Sequence, residues 1–381
     1  MQAIIEVKNL VKKFGPISAV DNVSFKIMPG VCFPGTSKKS CEDRVFNVSL
    51  KQEVRIAIMF QCRICSSQQQ SASYAVKEMQ LGTRHEFVYQ ACGSCGCLQI
   101  EQLPENLATY YPSDYYSKKT RTVKSTDRLM DYFRQKRLQK HLGEPNALGA
   151  GLLRLLGPPR LPDWVRWVPL KGSDQILDVG CGTGRRILSL RRKGFRNLTG
   201  IDPYIERTIF YRNDVRVYKC RLEEVHAKFD FIMLHHSLEH IQYQKNAMAQ
   251  VFRLLKSKGA VLVRMPLVSS YAWRRYRENW VQLDAPRHVI LHSKDSFRRL
   301  AADSGFVVSD IVYDSTEFQF IGSEQYEHDI ALNSARALRK NNIDQSIFTE
   351  ADLRKYVEKA KVLNRNQNGD QACFLLFKDK G

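Results

Sequence analysis

Long apolar runs are missing from this chain. No uninterrupted stretch approaches the roughly 20 residues a membrane-spanning helix needs, and residues 1–30 lack the basic start, apolar stretch and small-residue cleavage site of a secretion signal. These absences exclude an integral membrane helix and predict a cytoplasmic protein. Acidic residues are also scarce, 39 Asp and Glu against 59 Lys and Arg, for a net charge of +20. That balance attracts nucleic acid, an anionic membrane surface or a phosphorylated substrate without choosing among them. The 381 residues, 43% of them apolar, suffice for two or three small domains with at least one full-sized core.

Four of the ten cysteines form two Cys-x-x-Cys pairs, Cys62-Arg-Ile-Cys65 and Cys92-Gly-Ser-Cys95, with 26 residues between them. Without an export signal this spacing favours metal over cystine. Thiolates two residues apart in a tight turn can share one tetrahedral Zn²⁺, and Gly93 and Gly96 supply the turn freedom. A site closed by Cys62, Cys65, Cys92 and Cys95 leaves no position for water, so its expected role is structural. The adjacent Cys97 is a possible competing ligand.

Residues 1–30 read as two strands, with alternating Ile5, Val7 and Leu10, a turn at Phe14-Gly15-Pro16, then Val23, Phe25 and Ile27. This stretch resembles the opening of an ABC-transporter ATPase, but Thr36 stands where the phosphate-binding lysine should be, and no LSGGQ signature lies downstream. No ATP hydrolysis is expected. Residues 1–58 read as a fused, non-functional remnant, with Met59 as the natural start of the functional chain. Residues 59–105 then form the zinc-binding module, 106–170 a helical basic connector or lid, and 171–381 the catalytic domain.

Tyr110-Tyr111-Pro112-Ser113-Asp114-Tyr115-Tyr116 either packs on the cysteine module or covers the active site. A helix is expected from Ser125 to His141, with Leu129, Tyr132, Phe133 and Leu138 on one side. Lys118 to Lys171 carries 13 basic against 4 acidic residues, interleaved with leucines, Trp164 and Trp167. It reads as a solvated helix face with core leucines, or as a surface resting on anionic lipid.

The strand Gln175–Val179 contains Asp178 and runs into Gly180-Cys181-Gly182-Thr183-Gly184, followed by a helical stretch from Arg185 to Lys193. This is a nucleotide-cofactor turn, spaced G-x-G-x-G and not the G-x-G-x-x-G that seats a pyrophosphate. A second strand, Leu198–Ile201, ends in Asp202-Pro203, placing a carboxylate where both ribose hydroxyls can be held. Further strands at Val215–Tyr218, Phe229–Leu234 and Ala260–Val263 alternate with helices, which implies a parallel α/β sheet with the ligand over the strand ends.

ILDVGCGTG, GIDPY, FDFIMLHHSLEHI, LLKSKGAVLVRMP and WVQLDAPRHVILHSKDSFRRLAADSGF together resemble class I S-adenosylmethionine (SAM) dependent methyltransferases. More narrowly they resemble the branch associated with polysaccharide and lipopolysaccharide biosynthesis, whose members often begin with two Cys-x-x-Cys pairs and a YYP-DYYS stretch. The resemblance implies a doubly wound, seven-stranded Rossmann-like sheet preceded by a zinc-ribbon-like module. It also implies a cofactor site of Asp178, Gly180, Cys181, Gly182, Gly184, Asp202, Pro203, Leu222 and His235. Arg221 departs from the usual acidic or small residue beside the adenine.

Methyl transfer is an in-line displacement, so alignment and exclusion of water supply most of the acceleration and a base is needed chiefly for a hydroxyl proton. His288, in Asp284-Ala285-Pro286-Arg287-His288, is the expected base. His235, His236, Glu239 and His240 are its rivals. Arg287 either grips a substrate phosphate or pairs with Asp284. Tyr271 to Trp280 interleaves aromatics and arginines, as an acceptor site or as a cap helix with core-facing rings.

The expected reaction is O-methylation of a sugar hydroxyl on a nucleotide- or lipid-linked glycan. A quinone or small-phenol O-methyltransferase is the alternative, and RNA binding or RNA methylation a rival of another class. The fourth strand runs into His235-His236-Ser237 and lacks the Asn- or Asp-Pro-Pro-aromatic turn of base-amine methylation.

Overall fold

The computed structural model describes residues 5–14, 17–27, 60–112, 128–339 and 341–379. The chain divides into two compact units, Met1–Met59 and Phe60–Gly381. In the first, β1 (Ile5–Phe14) pairs antiparallel with β2 (Ile17–Ile27), Ile5 opposite Ile27 and Phe14 opposite Ile17. Thr36, where the phosphate-binding lysine should be, lies outside the described residues, as do Ser113 to Tyr116 and Ser125, where the helix was expected to begin.

The second unit opens with a meander of β3 (Gln70–Lys77), β4 (Glu86–Cys92) and β5 (Leu98–Ile100). Two helices come next, α1 (Arg128–His141) and α2 (Ala147–Leu156). Asn146 caps α2 by accepting from the Gly149 N–H at 2.9 Å. The helices cross so closely that a Cβ on Gly149 would lie 2.2 Å from the Lys136 carbonyl oxygen. Of the four apolar residues expected on one side of α1, Leu138 is buried, whereas Leu129 and Tyr132 face solvent. Instead, the buried Asp131 on α1 anchors it, pairing with Arg191 at 2.8 Å, Arg134 at 3.1 Å and Arg196 at 3.5 Å.

The main sheet is built from β6 (Ile176–Val179), β7 (Leu198–Ile201), β8 (Ile209–Phe210), β9 (Arg216–Tyr218), β10 (Phe229–His235) and β11 (Leu255–Pro266). After the two-residue β12 (Ile290–Leu291), which lies elsewhere, β13 (Phe306–Tyr313) and β14 (Gln371–Lys378) complete it. The order is β13-β14-β11-β10-β6-β7-β9-β8. Five central strands run parallel, and β14 is antiparallel to both neighbours. Eight strands stand where seven were expected. The extra one is the edge strand β8, which turns back antiparallel on β9 and is too short to show any periodicity in sequence.

Helices α3 (Arg185–Lys193), α4 (Gln244–Leu254), α5 (Tyr271–Tyr276), α6 (Lys294–Asp303), α7 (Phe318–Glu327) and α8 (Glu350–Arg365) connect or flank these strands. Alternation along β10 sends Phe231 and Met233 into one core cluster and Ile232 and Leu234 into another. Both faces of the sheet are therefore covered, which is why its strands read as nearly continuous apolar runs.

Strand β12 pairs with β5, Ile290 opposite Gln99 and Leu291 opposite Leu98, so the small sheet has four strands and its last comes from about 190 residues downstream. Ile290 and Leu291 are fully buried, and burying each is worth about 1.5–3 kcal/mol. Phe60, Ile64, Tyr89 and Ile100 share one core cluster with Trp280, Val263 and Leu291. The cysteine segment and the α/β sheet thus pack as a single body.

Candidate functional site

The glycine turn leaves the end of β6 with Gly180, Gly182 and Gly184 all at positive φ (+68°, +55° and +80°), which only glycine adopts freely. Gly180 is also held by close approach, since a Cβ there would lie 2.5 Å from the Ser237 Cβ. The turn after β10 is thereby pressed against the glycine turn after β6. The Gly180 and Cys181 N–H groups both donate to the Ile201 carbonyl, at 2.9 and 3.1 Å, and the Gly182 N–H donates to Asp202 Oδ2 at 2.8 Å. Asp202 Oδ1 accepts from the Tyr204 N–H at 2.8 Å, across Pro203. One carboxylate therefore fixes both the glycine turn and its own loop.

Around this junction, buried polar groups stand without partners among the described residues. Both Asp178 oxygens, both His235 ring nitrogens and the Ser237 hydroxyl make no hydrogen bond there, a cost a bound polar ligand would relieve. Burial raises the Asp178 carboxyl to about 7. Burial, with Arg186 and Arg264 nearby, pushes the His235 imidazole well below its ordinary range, so the ring is neutral. Its ring lies 5.6 Å from Trp164, which stacks on Phe231. A cleft of about 470 Å³ lined by Asp163, Trp164, Arg166, Trp167, Tyr313 and Asp314 borders the same tryptophan. Cys181 donates to the Gly182 carbonyl, and burial pushes its thiol up, leaving it inert. Leu222 heads a 3₁₀ turn after β9 and packs in the cluster that holds Val179 and Ile201. In that turn the Arg221 N–H donates to Glu224 Oε2. These groups suit an amphiphilic ligand with a cationic centre, as SAM is.

Past His235, the fold gathers Glu239, His240 and His288, one ligand-capable atom of each lying within 4.8 Å of the others. His288 is buried. Its Nδ1 donates to the Gln282 carbonyl at 2.7 Å, and its Nε2 faces Asp284 Oδ2 at 3.8 Å and Glu239 Oε1 at 4.0 Å. Burial, helped by His240, lowers its pKa to about 4 against the pull of the two carboxylates. The ring is neutral, with its lone pair on Nε2. Burial would raise the Glu239 carboxyl, but the hydrogen bond from His236 and the surrounding imidazoles hold it at about 2. His236 in turn contacts Arg264, which pairs with Asp314.

The aromatic segment divides its roles. Tyr110 packs edge-on against Phe87 and accepts or donates at His85 Nδ1. Tyr111 lies over the histidines, its hydroxyl 3.2 Å from His240 Nδ1 and its ring parallel to Tyr204 with centroids 6.1 Å apart. Arg287 is not available to grip a substrate. It is fully buried, donating to Asp284 Oδ1 at 2.6 Å, Glu78 Oε1 at 2.9 Å and the Tyr110 carbonyl at 3.2 Å. Nor are the aromatics of Tyr271–Trp280 an open acceptor surface. Trp273, Tyr276 and Trp280 are buried, and Trp280 Nε1 donates to Asp370.

The four thiols come together as the spacing requires. Cys62 Sγ lies 3.6 Å from Cys95 Sγ, and Cys65 Sγ lies 3.5 Å from Cys92 Sγ. Tetrahedral Zn–S bonds of about 2.3 Å place sulfurs slightly under about 4 Å apart, so the set fits such an ion. Backbone N–H groups of Cys65 and Cys95 point at the sulfurs of Cys62 and Cys92. Cys97 Sγ stands 3.4 Å from Cys62, a fifth sulfur at the edge of the cluster.

Residues 134–311 match a family model described as a methyltransferase domain. The chain is similar to phosphoethanolamine N-methyltransferase 1 of Zea mays, 26% identical over 247 residues, which cover 61% of this chain and 46% of that protein. It is also similar to the ubiquinone biosynthesis O-methyltransferase of Rickettsia bellii, 28% identical over 126 residues, 30% of this chain and 52% of that protein. The chain thus spans about half the length of these curated relatives. Among solved structures, geranyl diphosphate C-methyltransferase from Streptomyces coelicolor A3(2) aligns at 13% identity and a TM-score of 0.39, over 72% of this chain and 97% of that one. The glycine turn on β6 falls inside the stretch that matches the methyltransferase-domain model.

Proposed function

We propose that this protein methylates a hydroxyl of a sugar on a nucleotide- or lipid-linked glycan. SAM supplies the methyl group on its sulfonium. Asp178, Gly180, Cys181, Gly182, Gly184, Asp202, Pro203, Leu222 and His235 would hold it, with Asp202 turning to the ribose. The acceptor hydroxyl lies toward His288, whose Nε2 takes the proton as the oxygen takes the methyl. Glu239 and Asp284 then stabilise the imidazolium.

The observation that carries this reading is the neutral His288 ring with its Nδ1 committed to a carbonyl and its Nε2 turned to two carboxylates. That is the arrangement of an oriented base. The glycan class rests on the ordered sequence motifs. A phenolic hydroxyl is the second reading, favoured by the aromatic faces of Tyr111 and Tyr204. The four thiols hold a structural zinc in the same proposal. Contact with an anionic membrane surface belongs to it too, supported by the exposed Leu129, Met130, Leu148, Leu155 and Leu156 on the basic α1–α2 hairpin. Among the described residues no helix is long and apolar enough to cross a membrane.

Calorimetric titration of SAM into the purified chain and an Asp202→Ala variant tests the cofactor half. Micromolar binding lost in the variant is expected, and a folded, zinc-loaded chain that binds no SAM overturns the reading. His288→Ala then separates the halves, since it should keep SAM affinity while losing turnover of sugar acceptors.

A further inference from the structure

We propose that Glu239, His240 and His288 form a second metal site, one that takes a divalent first-row cation such as Mn²⁺ or Zn²⁺ and keeps open positions for a substrate oxygen. It is separate from the four-thiol cluster in both residues and chemistry. The binding is argued from the side chains alone, and its use in activating an acceptor rests on the methyl-transfer reading.

Each of the three side chains has one polar atom tied to the protein and a second that keeps a lone pair. His240 Nδ1 lies 2.9 Å from the Arg287 carbonyl, and His288 Nδ1 lies 2.7 Å from the Gln282 carbonyl. A carbonyl only accepts, so both nitrogens carry the proton and both Nε2 atoms carry a lone pair. This is how metal-binding histidines are held. Glu239 repeats the pattern. The His236 ring accepts from Arg264 and so donates from Nδ1 to Glu239 Oε1 at 3.1 Å, while Glu239 Oε2, in a side chain 1% exposed, has no partner among the described residues. Two imidazole nitrogens and one carboxylate oxygen are the donor set of metal sites that bind three protein ligands and keep a position for water or substrate.

The orienting groups are themselves anchored. Asp314 holds Arg264 at 2.6 Å and Arg264 holds His236, while Arg287, whose carbonyl orients His240, is fixed by Glu78 and Asp284. A bare cluster of two imidazoles and a carboxylate would gain little from this bracing. With a cation bound, His288 Nε2 is a ligand and no longer the base; the cation itself would make a coordinated hydroxyl more acidic, so that its proton leaves to solvent.

The test is titration of Mn²⁺ into the full, zinc-replete chain, following the loss of the free-ion electron paramagnetic resonance signal. Thiolates select zinc, so Mn²⁺ reports on the nitrogen and oxygen set. One Mn²⁺ per chain is expected, with affinity reduced tenfold or more in Glu239→Gln and His240→Gln variants whose zinc content and SAM affinity match the parent. No Mn²⁺ bound by the unaltered chain overturns the site, and so does equal binding by both variants. A chain that binds Mn²⁺ through these residues but no SAM supports the site and overturns the methyl-transfer reading instead.

Discussion

Arg287 Nη2 meets Glu78 Oε1 at 2.9 Å, and solvent reaches neither side chain. Glu78 lies just past β3, in the cysteine-bearing segment, and Arg287 adjoins His288, so this one ion pair joins the two halves of the second unit. Its geometry is well satisfied, because Glu78 also accepts from the Leu81 and Thr83 N–H groups at 2.8 and 3.0 Å. Replacing Glu78 with Ala leaves a buried guanidinium partly uncompensated and should cost about 3–5 kcal/mol. Arg84→Ala, which breaks an exposed pair with Asp329, should cost under about 1 kcal/mol. Urea denaturation of both variants checks the contrast, and equal midpoints would show that burial of the Arg287 pair contributes nothing.

SAM affinity should depend on pH through Asp178. Burial holds this carboxyl at about 7, and a cationic ligand favours its ionised form, so binding must release a proton below that pH. Affinity should fall as pH drops from about 8 to about 6, approaching roughly tenfold per unit at the acid end. Titrations across that range measure it. An Asp178→Asn variant should bind more weakly and with a flat profile.

His292 should make the fold sensitive to acid. Its Nε2 lies 2.6 Å from Gln244 Oε1 and its Nδ1 lies 2.8 Å from Ser296 Oγ. Burial lowers its pKa to about 3, against about 6.5 in an unfolded chain. The folded state therefore prefers the neutral ring. That stability is present above about pH 6.5 and is lost as pH falls toward about 3, at up to about 1.4 kcal/mol per unit. Denaturation at neutral pH and at about pH 5 should show the loss, and a His292→Gln variant should show less of it.

If the four thiols hold zinc as proposed, removing it should destabilise the whole second unit and not just the turn that bears them. Cys62, Cys92 and Cys95 belong to the same core cluster as Leu291 and Trp280. Chelation should thus lower a single cooperative melting transition. A separate early transition with the SAM-binding half unchanged would refute the shared core.

How much of the structure was legible in the sequence depends on how local each signal is. β7 falls at Leu198–Ile201 and α3 at Arg185–Lys193, as patterning and glycine punctuation predict. β8 and β12 were illegible because two residues carry no period. Glu78 gave no signal, since a carboxylate acquires meaning only when the fold brings Arg287 to it across 209 positions. Tyr110 and Tyr111 could not be assigned one role because they have different ones. The arginine-aromatic alternation of Tyr271–Trp280 fits a surface or a buried cap equally well in sequence, and only packing decides. Trp164, read as connector, forms a wall beside His235.

The pairing of β12 with β5 also bears on redesign. The loop that presents His288 ends just before β12, so its position is set by a strand on which Cys97 borders Leu98. A chimera that imports only the cysteine-bearing segment from a relative would inherit a mismatched edge and displace the very histidine it meant to preserve. Residues 60–100, Tyr110–Tyr111 and 284–292 are bound to one another and should be exchanged together.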